Sequence, residues 1–193
     1  DYQRSRGLGD VYKRQLRLIA GAALSGGILD GLSRKTGSQQ LGSASTQTLD
    51  GLKLGLISDL NGSYGSTSYS RAVERGVALL LRQQPDLVLC AGDMVAGQKR
   101  SLTNSQLKAM WAGLEQTVRA PLQQAGIPLL PAIGNHDGSS QQDQGGWIYG
   151  RERQQAGLFW HGNRGDLQSG FIQSERFPFQ YVWRRPGLFL VVI

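Results

Sequence analysis

Cysteine is almost missing from this chain, with Cys90 alone. No internal disulfide framework can form, so thiol usage says nothing about the redox compartment. Cys90 ends the apolar run Leu87-Val88-Leu89-Cys90, the setting of a buried strand thiol. Histidine is nearly as scarce, represented by His136 and His161. Long apolar runs are lacking too. The uncharged stretch from Leu18 to Leu29 falls short of the roughly 20 residues that a bilayer-crossing helix needs, so no stable membrane span is expected. There is also no basic track. The net charge is +7, yet the basic residues gather no further than pairs such as Arg34-Lys35, Lys99-Arg100 and Arg184-Arg185, with no aromatics interleaved. That pattern fits a solvated surface, and no nucleic-acid partner is expected. What is present is the make-up of a globular domain with a sizeable core: 193 residues, 39% hydrophobic and 18% charged.

Residues 1–50 read differently from the rest. The opening DYQRSRGLGDVYKRQ lacks apolar periodicity and an initiator methionine. Its tail DVYKRQ resembles the in-frame translation of a transposase adapter, so residues 1–15 are set aside from fold reasoning as a sequencing artefact. In residues 16–50, Arg17 precedes the apolar stretch in the manner of an export signal whose start is missing. Ser33 to Thr48 then reads as a Ser-, Gly- and Gln-rich linker. An exported, periplasmic location is therefore expected over a cytoplasmic one, with a short buried helix as the alternative reading of the apolar stretch. At the far end LFLVVI reaches Ile193 inside a strand-like run, so residues 51–193 are expected to be part of a longer domain.

From Leu52 onward the pattern is regular. LKLGLIS is an apolar run that ends in Asp59-Leu60-Asn61. Val73, Val77, Leu80 and Leu81 recur at helical spacing, and Pro85 stops that helix. DLVLCA is the second run and ends in Gly92-Asp93. Thr103 with Gln106 three residues on predicts a capping box, followed by a helix whose apolar face is Leu107, Met110, Trp111, Leu114 and Val118. Pro121 kinks or ends it, and Gly126 suits its C-cap. IPLLPAI is the third run and ends in Gly134-Asn135-His136-Asp137. Strand, helix, strand, helix, strand predicts a mostly parallel sheet with functional groups at the carboxyl ends of its strands. Adjacent strands lie about 4.8 Å apart, which would bring Asp59, Asp93 and Asn135 together. Two half-buried carboxylates repel unless a cation joins them, and no lysine or arginine sits at these strand ends. A metal is the economical answer, and two ions about 3.5–4 Å apart, bridged by the central carboxylate, fit the spacing. Glycines before Asp93 and Asn135 would let the chain turn close to the ions.

The ordered set Asp59-Leu60-Asn61, Gly92-Asp93-Met94-Val95 and Gly134-Asn135-His136-Asp137 resembles the first three motifs of the calcineurin-like metallophosphoesterases. The likeness runs from about Leu52 to Ile193 and is nearest to the bacterial branch, with ISDLNGSYGSTSY similar to cyanobacterial members. The resemblance implies an α/β fold, a two-sheet β-sandwich flanked by helices, of which this chain holds the N-terminal half. It also implies metal-dependent hydrolysis of phosphate esters by a two-metal-activated water. Asp59 and Asn61 would ligate the first ion, Asp93 would bridge, and Asn135 would ligate the second. His136 would face the substrate and give a proton to the leaving oxygen. The cofactors implied are two divalent ions, Mn, Fe, Mg or Zn, and the partner is a small phosphate ester.

The match has departures. The family usually places histidine where this chain has Asn61, and a neutral amide oxygen favours Mn, Mg or Fe(II) over Zn. Asn61 capping a turn with Gly62 is the alternative. Two later histidine motifs of the family would lie past Ile193, and His161 reads as a surface or substrate-loop residue. The chain as written is accordingly expected to be inactive although its parent is a hydrolase. The competing reading is a non-catalytic phosphate- or partner-binding member of the same fold. Gly138 to Phe179 reads as a long polar loop whose aromatics Trp147, Tyr149 and Trp160 pack beneath it or meet substrate. FQYVW, RRPG and LFLVVI read as strand, turn and strand, with Pro186-Gly187 central in a type II turn.

Overall fold

Three of the apolar runs become the strands of one sheet in the computed structural model, which describes residues 51–193. The adapter-like stretch 1–15 and the export and linker reading of 16–50 lie outside the described residues. Strands β1 (Leu54–Ile57), β2 (Leu87–Cys90) and β3 (Leu129–Pro131) pair in parallel in the order β1-β2-β3. All of β2 is buried, as the central strand of a parallel sheet should be.

The two crossovers are helical for the reasons legible in their sequence. Helix α1 (Arg71–Gln83) starts at Ser70, whose hydroxyl accepts the Val73 N–H, and ends with Gln84 in the left-handed region ahead of Pro85. Helix α2 (Asn104–Leu114) opens with the capping box: Gln106 N–H donates to Thr103 Oγ1 at 3.2 Å and Thr103 N–H to Gln106 Oε1 at 2.8 Å. Its buried residues include Leu107, Met110, Trp111 and Leu114. The helix does not stop at Pro121. A π-helical turn, Glu115–Arg119, joins it to α3 (Ala120–Gln124), with the Ala120 N–H reaching back five residues to the Glu115 carbonyl. Widening the ladder just before proline accommodates a residue that can neither donate nor tolerate the preceding carbonyl.

The segment after Gly138 corrects the long-loop expectation. A short helix α4 (Asn135–Gly138) is followed by a small hairpin of β4 (Gln142–Asp143) and β5 (Gly146–Trp147), then by helix α5 (Gly150–Gly162). The buried positions of α5 are Glu152, Gln155, Ala156 and Trp160, a helical spacing in which polar residues hold the first two places. Hydrophobic periodicity therefore carries no trace of it. A 3₁₀ turn, Gly165–Gly170, leads into β6 (Phe171–Arg176), which pairs antiparallel with β7 (Gln180–Arg185). β8 (Leu188–Val192) completes this sheet through Pro186-Gly187, and Gly187 has the φ of +79° that the third position of a type II turn requires.

One core serves both sheets. Leu87, Val88, Met110, Leu114, Leu130, Trp160, Tyr181 and Leu190 belong to a single buried cluster. The Tyr181 hydroxyl donates to the Pro131 carbonyl at 2.6 Å, tying β7 to the end of β3. No helix among the described residues is long and apolar enough to cross a membrane.

Candidate active site

The carboxyl ends of β1, β2 and β3 are laced together by backbone bonds. Asp59 N–H donates to the Gly92 carbonyl at 3.1 Å, and the N–H groups of Leu60 and Asn61 both reach the Asp93 carbonyl, at 2.9 and 3.1 Å. Asp59 and Asp93 themselves have φ of 52° and 53°. Left-handed backbone is costly for residues with a side chain and persists where surrounding bonds over-determine it. The glycines are needed for contact between the loops. A Cβ on Gly134 would lie 2.2 Å from Asp93 Oδ1, and one on Gly92 would lie 2.8 Å from the Gly134 Cα.

These loops deliver Asp59, Asp93 and Asn135 to one cavity of about 910 Å³. Asp59 Oδ2 accepts the Ser58 hydroxyl at 2.7 Å, and Asp93 Oδ1 accepts the His136 backbone N–H at 3.0 Å. Asn135 directs its amide nitrogen to Gln98 Oε1 at 3.2 Å, which leaves its carbonyl oxygen as the atom suited to a cation. The lining also includes Trp147, Arg153 and Phe179. Arg153 is held by both rings, at 4.3 Å from the Trp147 centroid and 4.2 Å from that of Phe179, and donates to the Gly138 carbonyl at 2.7 Å.

Two of the expected site residues stand apart from this cavity. Asn61 is half-buried and does not line it. His136 does not line it either. Its backbone is fixed by Asp93 and by the Gly97 N–H, while its ring stacks on Tyr64 with centroids 5.4 Å apart and planes 26° apart. His161 is exposed near the end of α5, edge-on to Phe177.

Asp137 holds the motif from behind. Its carboxylate accepts the Val95 N–H at 2.8 Å and the Gly134 N–H at 2.9 Å, clamping the β2 loop to the start of α4. Burial pushes its pKa up to about 7, with the two N–H groups pulling the other way and the Asp93 charge adding to the rise. Burial likewise pushes the Cys90 thiol up to about 12, in keeping with an inert strand cysteine. Among the described residues no group of three or more His, Cys, Asp or Glu side chains is placed to hold a metal. The donors that the three strand ends bring to the cavity include two carboxylates and an amide, an all-oxygen set that fits a hard divalent cation.

Sequence reasoning missed Arg153, Tyr64 and Asp137 as parts of this site. Asp137 was findable, since it sits three residues after Gly134 as a carboxylate at a helix start does. Arg153 left no signal because α5 itself left none.

A family model described as calcineurin-like phosphoesterase matches residues 52–186. No curated protein matches the chain.

Proposed function

We propose, on the premise that this chain belongs to the calcineurin-like phosphoesterase family, that its cavity is the metal-bearing half of a phosphoester hydrolase site. Membership implies metal-dependent hydrolysis of phosphate esters. The observation that carries the finer reading is the meeting of Asp59, Asp93 and Asn135 in one cavity. Asp59 and Asn61 would hold one divalent ion, Asp93 would serve both, and Asn135 would hold the second through its carbonyl oxygen. Asn61 is the weakest member of this set, because it is not among the residues that line the cavity. An oxygen-rich set favours Mn, Mg or Fe(II) over Zn. The chemistry such ions supply is charge neutralisation and the acidification of a water.

The chain's own residues do the rest. The two left-handed aspartates keep their carboxylates in place without waiting for substrate, because their backbones are bonded to each other's loops. His136 does not line the cavity, and family membership alone assigns it the role of proton donor to the leaving oxygen; its backbone N–H is anchored to Asp93. Arg153 brings positive charge to the cavity lining and favours an anionic ester. A cavity of about 910 Å³ suits a small phosphate ester. Export is proposed from Arg17, the apolar stretch Leu18 to Leu29 and the polar stretch Ser33 to Thr48.

Two carboxylates and one amide at the strand ends make a sparse set for two ions, so we expect the 193-residue polypeptide to turn over aryl phosphates poorly. An assay with Mn²⁺ tests this: turnover that His136→Ala abolishes would show the polypeptide to be an enzyme as it stands. The non-catalytic reading draws on the same sparse donor set. Phosphate binding without turnover, in a longer chain that carries further histidine ligands, would favour it.

A further inference from the structure

Tyr64 has no role in the metal chemistry, yet its ring is stacked on that of His136. We propose that Tyr64 is the positioning residue for His136, fixing the plane in which the imidazole meets the substrate. The inference rests on the reading of His136 as proton donor.

An imidazole is ordinarily oriented by a hydrogen bond at one of its two nitrogens. Here the buried Nδ1 of His136 has no hydrogen-bond partner among the described residues. The neighbouring carboxylate does not supply one, since Asp137 is turned inward to the Val95 and Gly134 N–H groups. The backbone of His136 is bonded on both sides, through its N–H to Asp93 and through its carbonyl to Gly97. Those bonds set where the Cα lies and leave the ring torsion open. The face-to-face contact with Tyr64, at 5.4 Å and 26°, limits that torsion.

Tyr64 can do this because its loop is itself fixed. Gly65, with a φ of +84°, donates its N–H to the Ala96 carbonyl at 3.0 Å. A Cβ on Gly65 would lie 2.9 Å from Leu102 Cδ2, so the loop lies close against the core at that point. Earlier in the same loop, Leu60 and Asn61 are bonded to the Asp93 carbonyl. One loop therefore presents a metal-binding carboxylate, Asp59, and the ring that orients the proton donor. The Tyr64 side chain is half exposed, so its replacement leaves the core intact.

The test uses the whole 193-residue chain and the fact that it has two histidines. Proton NMR of the imidazole carbon-bound hydrogens should show one histidine with nuclear Overhauser contacts to tyrosine ring protons and ring-current-shifted resonances. Tyr64→Leu should abolish those contacts and move the His136 resonances by more than a line width. Tyr64→Phe should keep the ring-current shift and retain the contacts through its own ring protons. The His161 resonances should stay put in both variants and report an intact fold. His136 resonances unmoved in Tyr64→Leu, or moved equally by Phe and Leu, would overturn the proposal. Adding Mn²⁺ separates this inference from the functional reading: paramagnetic broadening at the Asp93 backbone amide supports the metal site. Its absence would remove that reading while leaving the Tyr64 stack to stand or fall on the shifts.

Discussion

The β1–β3 half of the molecule and the part that follows Gly138 build their interiors by opposite means. In the first, a fully buried apolar strand lies between two others, and the loops at its end are joined by backbone bonds among Asp59, Leu60, Asn61, Gly92 and Asp93. In the second, helix α5 turns Glu152 and Gln155 inward beside Ala156 and Trp160. Apart from the buried Arg119 and Asp137, the interior of the first half follows the binary rule of apolar inside and polar outside. The second departs from it, and its order comes from specific contacts such as Arg153 between two aromatic rings and Trp183 Nε1 on the Leu167 carbonyl. The difference teaches where chemistry can be placed. Strained aspartates are tolerated in the first half because the backbone network over-determines them.

The largest blow to this contrast should come from the second half. Trp160 is completely buried, so Trp160→Ala should cost about 3–5 kcal/mol, read as a lower denaturant midpoint. If the cost is below about 1 kcal/mol, α5 is not part of the shared core.

Gly134→Ala comes next. Its new Cβ would collide with the Asp93 backbone nitrogen as well as with Oδ1, and the backbone atom leaves no room to yield. A loss of about 3 kcal/mol in urea denaturation is expected, together with weaker metal binding. Wild-type stability would mean that the loops are looser than described.

Asp137→Asn should cost about 1–3 kcal/mol, because an amide has one oxygen for two buried N–H donors. The same variant carries a pH signature in metal-free protein. The folded pKa near 7 lies above the ordinary carboxyl value, so the folded state holds more protons in between. Stability should therefore fall as pH rises from about 4 to 7, and the Asn variant should flatten that slope. An unchanged slope would assign the dependence elsewhere.

The smallest effect should have the opposite sign. Glu152 is buried and its Oε1 has no hydrogen-bond partner among the described residues. Replacing the carboxyl by an amide in Glu152→Gln should leave stability unchanged or raise it by about 1 kcal/mol. A clear loss would show that the carboxylate serves a contact of its own.

The same contrast governs what could be read in advance. Asp59, Asp93 and Asn135 were legible because each follows an apolar run at a parallel-strand terminus, and topology then dictates that they meet. The capping box at Thr103 and the turn at Pro186-Gly187 were legible because both use residue types with a local mechanism. Helix α5 was not, since Glu152 and Gln155 occupy core positions that polar residues ordinarily avoid. Strand β6 was hidden because its residues are mostly exposed and show no alternation. The helix ran on past Pro121 because a π turn absorbed the proline, which no periodicity reveals. The side-chain direction of Asn61 and the Tyr64–His136 stack depend on how one loop folds onto another, and spacing along the chain does not contain that.

The most direct test of the metal-site account is Mn²⁺ affinity in the whole chain, by calorimetry or electron paramagnetic resonance. Asn tolerates left-handed backbone, so Asp93→Asn keeps the loop while removing the charge. The account predicts Mn²⁺ binding by the wild-type chain and at least about tenfold weaker binding in Asp93→Asn. Equal affinity in the two proteins, or no binding by either, would contradict it.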